Sequence, residues 1–398
     1  MDGGARGERS LIAFEPDEIL TDAAQWPTWG RGDGWVLGYI GYGAGWVVEA
    51  VPSQAPTTEP DVWLGRYPGV LIYHHAPQAW ELRGPPAWRE RAAALLAEAA
   101  PEPPPPDVAA TDERSVDARR YQQDVERILA WIGAGDCYQV NLSRAAHVAG
   151  VPNPWALYRR LRARSAPGLG AFLRLGPELA VLSNSPELLL SLRGDQLESD
   201  PIKGTRPRSQ DPALDEAQAK ELEVSPKERA ELTMIVDLVR NDLGRVATAG
   251  SVRVEPRRIT AHAAIHHAHQ RVYATLAPGL DAWDALAATF PPGSVTGAPK
   301  VRACSRIAQL EHEPRGVYCG AIGVVEPSGD AAWSVAIRTA VWHDGDLRYH
   351  VGGGIVADSD PLAEWEETEH KAASLRAALG LIDARRDTNV VVSGSPPS

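Results

Sequence analysis

Two hydrophobic periods alternate along the chain, and the helical one is clearest in its middle. Tyr121, Val125, Ile128, Leu129 and Ile132 recur at helical spacing, and Gly133 and Gly135 stop the run. The segment SPKERAELTMIVDLVRNDLG (225–244) predicts a second helix. Leu232, Ile235, Val236, Val239 and Leu243 make its apolar stripe, Ser225 and Glu228 a capping box, Pro226 the first helical position and Gly244 the stop. Shorter helices are predicted over Trp88–Ala100 and Pro152–Arg164, and a last one from Asp360-Pro361 to Gly380. FPPGSVTGAPKVRA (290–303) reads as a loop entering a helix at Pro299, and the acidic Gln210–Glu223 reads as a loop.

The period of two marks the rest. Residues 1–80 read as short strands and turns, among them Gly34–Ile40 and Val62–Tyr73, with Trp35, Tyr39 and Trp46 as core aromatics. Gly38, Gly41, Gly43 and Gly45 do not fit the GxGxxG spacing of a dinucleotide loop, so GYIGYGAG is read as a strand packed closely on a neighbour. Pro101–Pro106 is a stiff, extended surface crossing. GDCYQVNLSR (135–144) holds a strand beginning near Tyr138, and Ala171–Leu175 and Leu179–Asn184 are strands. LLLSL (188–192) turns at Arg193-Gly194-Asp195-Gln196, and Gln196–Ile202 returns antiparallel. Arg315–Val356 reads as a three-stranded meander turned at Pro327–Asp330 and Asp344–Gly345. Residues after Arg385 form a polar, Ser/Pro-rich tail of disordered composition.

Composition narrows the class. With 398 residues, 44% hydrophobic and 23% charged, the chain has the make-up of a soluble globular protein able to bury one large core or two ordinary ones. A net charge of −12 without a basic block excludes nucleic acid as the expected partner, although a local group of cations can still hold an anionic substrate. Cys137, Cys304 and Cys319 lack metal-ligand spacing and leave one unpaired, which suits a reducing cytoplasm. The N-terminus carries no apolar core of signal-peptide type, and no run approaches membrane-spanning length.

Candidate chemistry gathers at the hairpin. Glu187 precedes its first strand and Lys203 follows its second, so an acid and an amine end up side by side. A lysine at a strand end, beside Gly204, becomes a nucleophile if its surroundings favour the neutral amine; a nearby carboxyl can act as general acid if its pKa is raised. On the last helix Glu364, Glu367 and Lys371 share one face, and two carboxylates so placed suit a magnesium ion or a solvated surface. The four histidines between His262 and His269 put no three on a clear face, so zinc is not expected.

SPE followed after a hairpin by PIKGTRPR resembles the chorismate-utilising enzymes: anthranilate synthase large subunits, aminodeoxychorismate synthase component I, and the isochorismate and salicylate synthases. VDLVRNDLGRVA, FPPGSVTGAPKVRA and GGGIVADS with its following E, E and K extend the likeness over residues 115–380, with residues 1–100 a strand-rich part of the same fold. The resemblance implies an α+β fold of two large, mainly antiparallel sheets packed face to face with helices outside. It implies Lys203 and Glu187 as catalytic residues, and Glu231, Glu364 and Glu367 as ligands of Mg2+. It further implies substrate contacts from Gln139, Gly204, Thr205, His267, Thr296, Tyr318, Arg338, Gly352, Gly353, Gly354 and Lys371. Ala268-His269-Gln270 departs from the family's usual Leu-Val-Ser after His267.

Two positions sort the members. Water-adding relatives carry Lys where this chain has Gln139, which cannot act as a base; anthranilate synthases usually carry Ala at Lys203. PIKGT is thus similar to the aminodeoxychorismate synthases. The implied reaction joins chorismate and ammonia, supplied by a glutaminase partner, into 4-amino-4-deoxychorismate for 4-aminobenzoate and folate. The alternatives are an anthranilate synthase and a non-catalytic, glutaminase-binding paralogue. A shortened N-terminal region and the altered Pro167-Gly168-Leu169-Gly170 imply no tight tryptophan regulation.

Overall fold

The computed structural model describes residues 8–100, 103–106, 110, 112–164, 168–261 and 265–381. Pro101, Glu102, Pro167, His262 and the tail after Arg385 lie outside the described residues. In chain order the elements around the site are β1 (Trp35–Ile40), α1 (Ala118–Gly133), β2 (Gln139–Ala149), β3 (Leu179–Ser185), β4 (Leu188–Arg193), β5 (Gln196–Asp200) and β6 (Ile202–Pro207). They continue with α2 (Pro226–Gly244), β7 (Ile265–His269), α3 (Lys300–Leu310), β8 (Ala321–Val325), β9 (Ala331–Val335), β10 (Thr339–His343), β11 (Asp346–Ile355) and α4 (Pro361–Leu379).

Two large antiparallel sheets dominate. A nine-stranded sheet runs Arg253–Val254, Val272–Thr275, β5, β4, β9, β8, β1, Val62–Tyr67 and Glu18–Leu20. A seven-stranded sheet runs Gly297–Ala298, β2, β11, β10, β3 and Leu169–Arg174, with Asp112–Ser115 paired to β2. The pleat decides which core each side chain joins. Val181 and Val341 point between the sheets, where they meet Leu37, Tyr39, Trp63, Ile322 and Val324 of the other sheet. Their neighbours Ala180, Leu182, Ala340 and Trp342 point outward, beneath helix Pro154–Arg164 and α4. On the far side of the nine-stranded sheet, Leu190 and Trp333 pack with the stripe of α2, Leu232, Ile235 and Val239. The expected α+β architecture is therefore the one observed.

Local details differ from expectation. Residues Pro212–Val224 are a helix, not a loop: Asp211 accepts the Ala213 N–H as N-cap, Pro212 begins the first turn, and Leu222 is the one buried side chain. The region Arg315–Val356 holds four strands, because the chain crosses from β9 in one sheet to β10 in the other. Trp46 is 46% exposed rather than core. Only half of the capping box forms: Ser225 Oγ accepts from Glu228 N, while the Glu228 carboxylate goes to Arg206. Gly38 does pack closely, since a Cβ there would stand 2.0 Å from Trp63 O, but GYIGYGAG is not one strand: β1 ends at Ile40 and Tyr42–Val47 is a 3-10 helix.

Candidate active site

The hairpin β4–β5 closes at Arg193 opposite Gln196 and opens at Leu188 opposite Asp200, so residues before and after it are neighbours. At Pro201 the chain leaves the large sheet and enters β6, which pairs with β7 in a separate three-stranded sheet. Glu187 and Lys203 flank this exit. Burial pushes the Glu187 carboxyl up, the Ser294 hydroxyl and the Lys203 charge pull it back, and it rests at about 7. Burial alone would depress the Lys203 ammonium, but the carboxylates of Glu231 and Glu187 outweigh it and raise it above the ordinary lysine range. The Lys203 Nζ lies 3.0 Å from Glu231 Oε1, both side chains being largely buried.

Beneath these groups β11 presents Gly352, Gly353 and Gly354, paired with Ser143, Leu142 and Asn141 of β2. Side chains occupy the volume that Cβ atoms would take. A Cβ on Gly354 would stand 2.2 Å from Gln139 Nε2 and 2.7 Å from Glu231 Oε1; one on Gly353 would stand 3.1 Å from Glu364 Oε2 and 3.5 Å from Glu367 Oε1. Carboxylates from α2 and α4 thus gather over two adjacent glycines. Each has a lysine: Lys203 at Glu231, Lys371 at 2.6 Å from Glu367 Oε1, and Lys227 at 3.7 Å from Glu364 Oε1. Lys371 also donates to Gly352 O at 2.8 Å, and Gln139 Nε2 donates to Glu231 Oε1 at 2.8 Å. The Lys371 charge holds the Glu367 carboxyl below its ordinary range, whereas burial raises that of Glu364.

Two polar atoms in this cluster are buried without a hydrogen-bond partner among the described residues, Glu364 Oε2 and Gln139 Oε1. Among the described residues no three His, Cys, Asp or Glu side chains stand close enough to enclose an ion as they are. The oxygen-only donor set, the orphaned oxygen and the glycine floor nevertheless fit a hard divalent cation that draws the carboxylates together.

The crossover from β9 to β10 carries the anion-binding candidates. Arg338 takes φ 50°, its carbonyl accepts the Asn184 N–H, and burial lowers its pKa, with no carboxylate pairing it among the described residues. A half-buried guanidinium without a counter-ion is a place for an anion. Tyr318 is brought alongside by the bond from Cys319 N to Ala336 O, and it stacks on His350 of β11 with ring centres 5.2 Å apart.

Other expected contacts sit differently. Thr296 is fully buried and its hydroxyl donates within its own turn, to Pro292 O or Gly293 O, while its carbonyl accepts the Asn141 N–H. Thr205 is exposed and lies opposite His267, which is buried on β7. Gly204 is needed for its φ of +84° and for packing, since a Cβ would stand 2.7 Å from Leu222 Cδ1. Ser294, His350 and Lys227 were not singled out from the sequence. For Lys227 a signal existed, its place one helical turn before Glu231. The three cysteines are buried free thiols, and no helix among the described residues is long and apolar enough to cross a membrane.

The chain is similar to known proteins along most of its length. The profile of the chorismate binding enzymes matches residues 8–377. An aminodeoxychorismate synthase component 1 from Salmonella typhimurium is 41% identical over 342 residues, which span 85% of this chain and 75% of that protein. An anthranilate synthase component 1 from Haloferax volcanii is 38% identical over 374 residues, 88% of this chain and 71% of that one. The crystal structure of anthranilate synthase component I from Streptococcus pneumoniae superposes with a TM-score of 0.81, at 28% identity and 92% coverage of both chains. Matched along nearly its whole described length, the chain belongs to the chorismate binding enzymes.

Proposed function

We propose that this enzyme converts chorismate and ammonia to 4-amino-4-deoxychorismate, with ammonia drawn from a separate glutamine amidotransferase subunit. The observation that carries the reading is the buried amine of Lys203, held between Glu231 and the general-acid candidate Glu187. The Lys203 ammonium passes a proton to Glu231, 3.0 Å away, which returns it when the lysine departs, and the neutral amine forms a bond to ring carbon two. The two ring double bonds shift, and the carbon–oxygen bond at carbon four breaks. Glu187 gives its proton to that oxygen, which leaves as water. Ammonia then bonds to carbon four, the double bonds shift back, and the bond to Lys203 breaks. The proton shed by the incoming nitrogen restores Glu187.

Arg338 and Tyr318 hold one substrate carboxylate, and the backbone N–H groups of Gly352–Gly354 line the floor. Glu231, Glu364 and Glu367 are the residues that would hold Mg2+, which when bound supplies charge neutralisation and orientation for the ring carboxylate. Gln139 has no basic atom with which to activate water, and it orients Glu231 instead.

The relatives include anthranilate synthases, in which the nitrogen enters at ring carbon two. On this reading the Lys203 amine occupies that carbon, so amination at carbon four is favoured. Incubation with chorismate, Mg2+ and ammonium, followed by product identification by mass and chromatography, tests the reading. It expects 4-amino-4-deoxychorismate; anthranilate with pyruvate would contradict it.

A further inference from the structure

Three lysines and three glutamates alternate over the glycine floor, and the three pairs are not equivalent. Lys203 is nearly buried and 3.0 Å from Glu231. Lys371 is 2.6 Å from Glu367 and anchored a second time on Gly352 O. Lys227 has the longest contact, 3.7 Å, and its side chain is 48% exposed, whereas its partner Glu364 is 3% exposed. Glu364 is also the carboxylate with a buried oxygen lacking any partner, its other oxygen being held by Ser359 Oγ at 2.6 Å.

The position of Lys227 is not explained by its own helix. It follows Pro226 in the first turn of α2, at the end where the helix dipole disfavours a cation. What lies across from it is Glu364, in the first turn of α4. A lysine there neutralises a carboxylate that would otherwise sit buried and unpaired beside Glu367.

We propose that Lys227 is a displaceable counter-cation that sets how tightly the carboxylate cluster takes a divalent ion. It holds Glu364 when no ion is bound and swings into solvent when one arrives. Lys371 is nearly as exposed, at 43%, but it has two short contacts, so the single long contact of Lys227 makes it the lysine of the three that can leave without unmaking the site. This rests on the reading of Glu231, Glu364 and Glu367 as metal ligands.

The test measures Mn2+ binding to the whole chain without chorismate, by the paramagnetic resonance of free Mn2+, for wild type, Lys227→Met, Lys227→Gln, Lys227→Arg and Glu364→Gln. Removing a positive charge a few ångströms from a divalent ion is expected to tighten binding about three- to tenfold. Both neutral variants should show this gain, Lys227→Arg should stay near wild type, and the gain should shrink at high salt. If the neutral variants bind within twofold of wild type, or more weakly, while Glu364→Gln loses affinity, the role of Lys227 falls and the metal site stands. If Glu364→Gln binds as wild type does, the metal assignment falls and takes the proposal with it.

Discussion

The two faces of α4 carry similar residue types in opposite states. On the outer face Arg144 of β2 is 1% exposed and fully used: it donates to Thr368 Oγ1 at 2.9 Å, pairs with Glu369 and stacks over Trp365. Arg376 grips both oxygens of Glu113 at 2.8 Å and Glu369 Oε2 at 2.6 Å, and the Tyr349 hydroxyl donates to Glu113 as well. On the inner face Glu364 has a buried oxygen with no partner, and its counter-cation is half in solvent. Across the site, Arg338 has no ion-pair partner among the described residues. A saturated charge network fixes a helix in place. An unsaturated one, built into the same helix, costs stability, because unpaired buried groups are not repaid by packing alone.

That contrast says which variants should lose activity and which should lose stability. The largest effect is expected from Lys203→Ala, which should lower 4-amino-4-deoxychorismate formation by about 10^3-fold or more while leaving the fold intact. With carbon two no longer covered by the amine, slow release of the carbon-two-aminated product is expected, and chromatography of long incubations checks for it.

Glu187→Gln should reduce turnover by about 10^2- to 10^4-fold, the usual contribution of a general acid. The wild-type profile gives a second check. Glu187 acts only while protonated and its carboxyl lies at about 7, so kcat/KM should fall as pH rises through that value. The residual rate of Glu187→Gln should lack this alkaline limb. An identical limb in both proteins would assign it to another group.

Glu364→Gln removes a desolvated charge, so its urea midpoint should match or exceed that of wild type while its Mg2+ requirement rises about tenfold or more. Arg144→Gln is the mirror image. Breaking a saturated buried network should lower stability by about 3 kcal/mol, read as a shift in urea midpoint, with kcat near wild type in the folded protein. If Arg144→Gln instead cost activity without stability, the two faces of α4 would not divide as described.

What the sequence could show followed from how local each signal is. The stripe of α2, with Ser225, Pro226 and Gly244 at its ends, and the hairpin at Gly194 are set by neighbours in the chain, and both were legible. Helix Pro212–Val224 was missed because Leu222 alone is buried, so no stripe exists; Asp211-Pro212 was the signal available. The switch of sheets at Ala336–Arg338 was illegible for a different reason. Alternation says that β8 to β11 are strands, but not which sheet each one joins, and Arg338 takes its positive φ within that crossing. In the site, helical spacing placed Glu364, Glu367 and Lys371 on one face. The cross-element pairs of Lys203 with Glu231 and of Lys227 with Glu364 needed the fold.

The account turns on whether Lys203 bonds to the substrate. Turnover with chorismate, Mg2+ and ammonium, quenched in acid and digested for mass spectrometry, measures this directly. A chorismate-derived mass increment is expected on the peptide containing Lys203, minus the water lost from carbon four. It should build up when ammonium is withheld and be absent from Lys203→Ala. An unmodified peptide at every time point, together with wild-type rates of 4-amino-4-deoxychorismate formation by Lys203→Ala, would contradict the account.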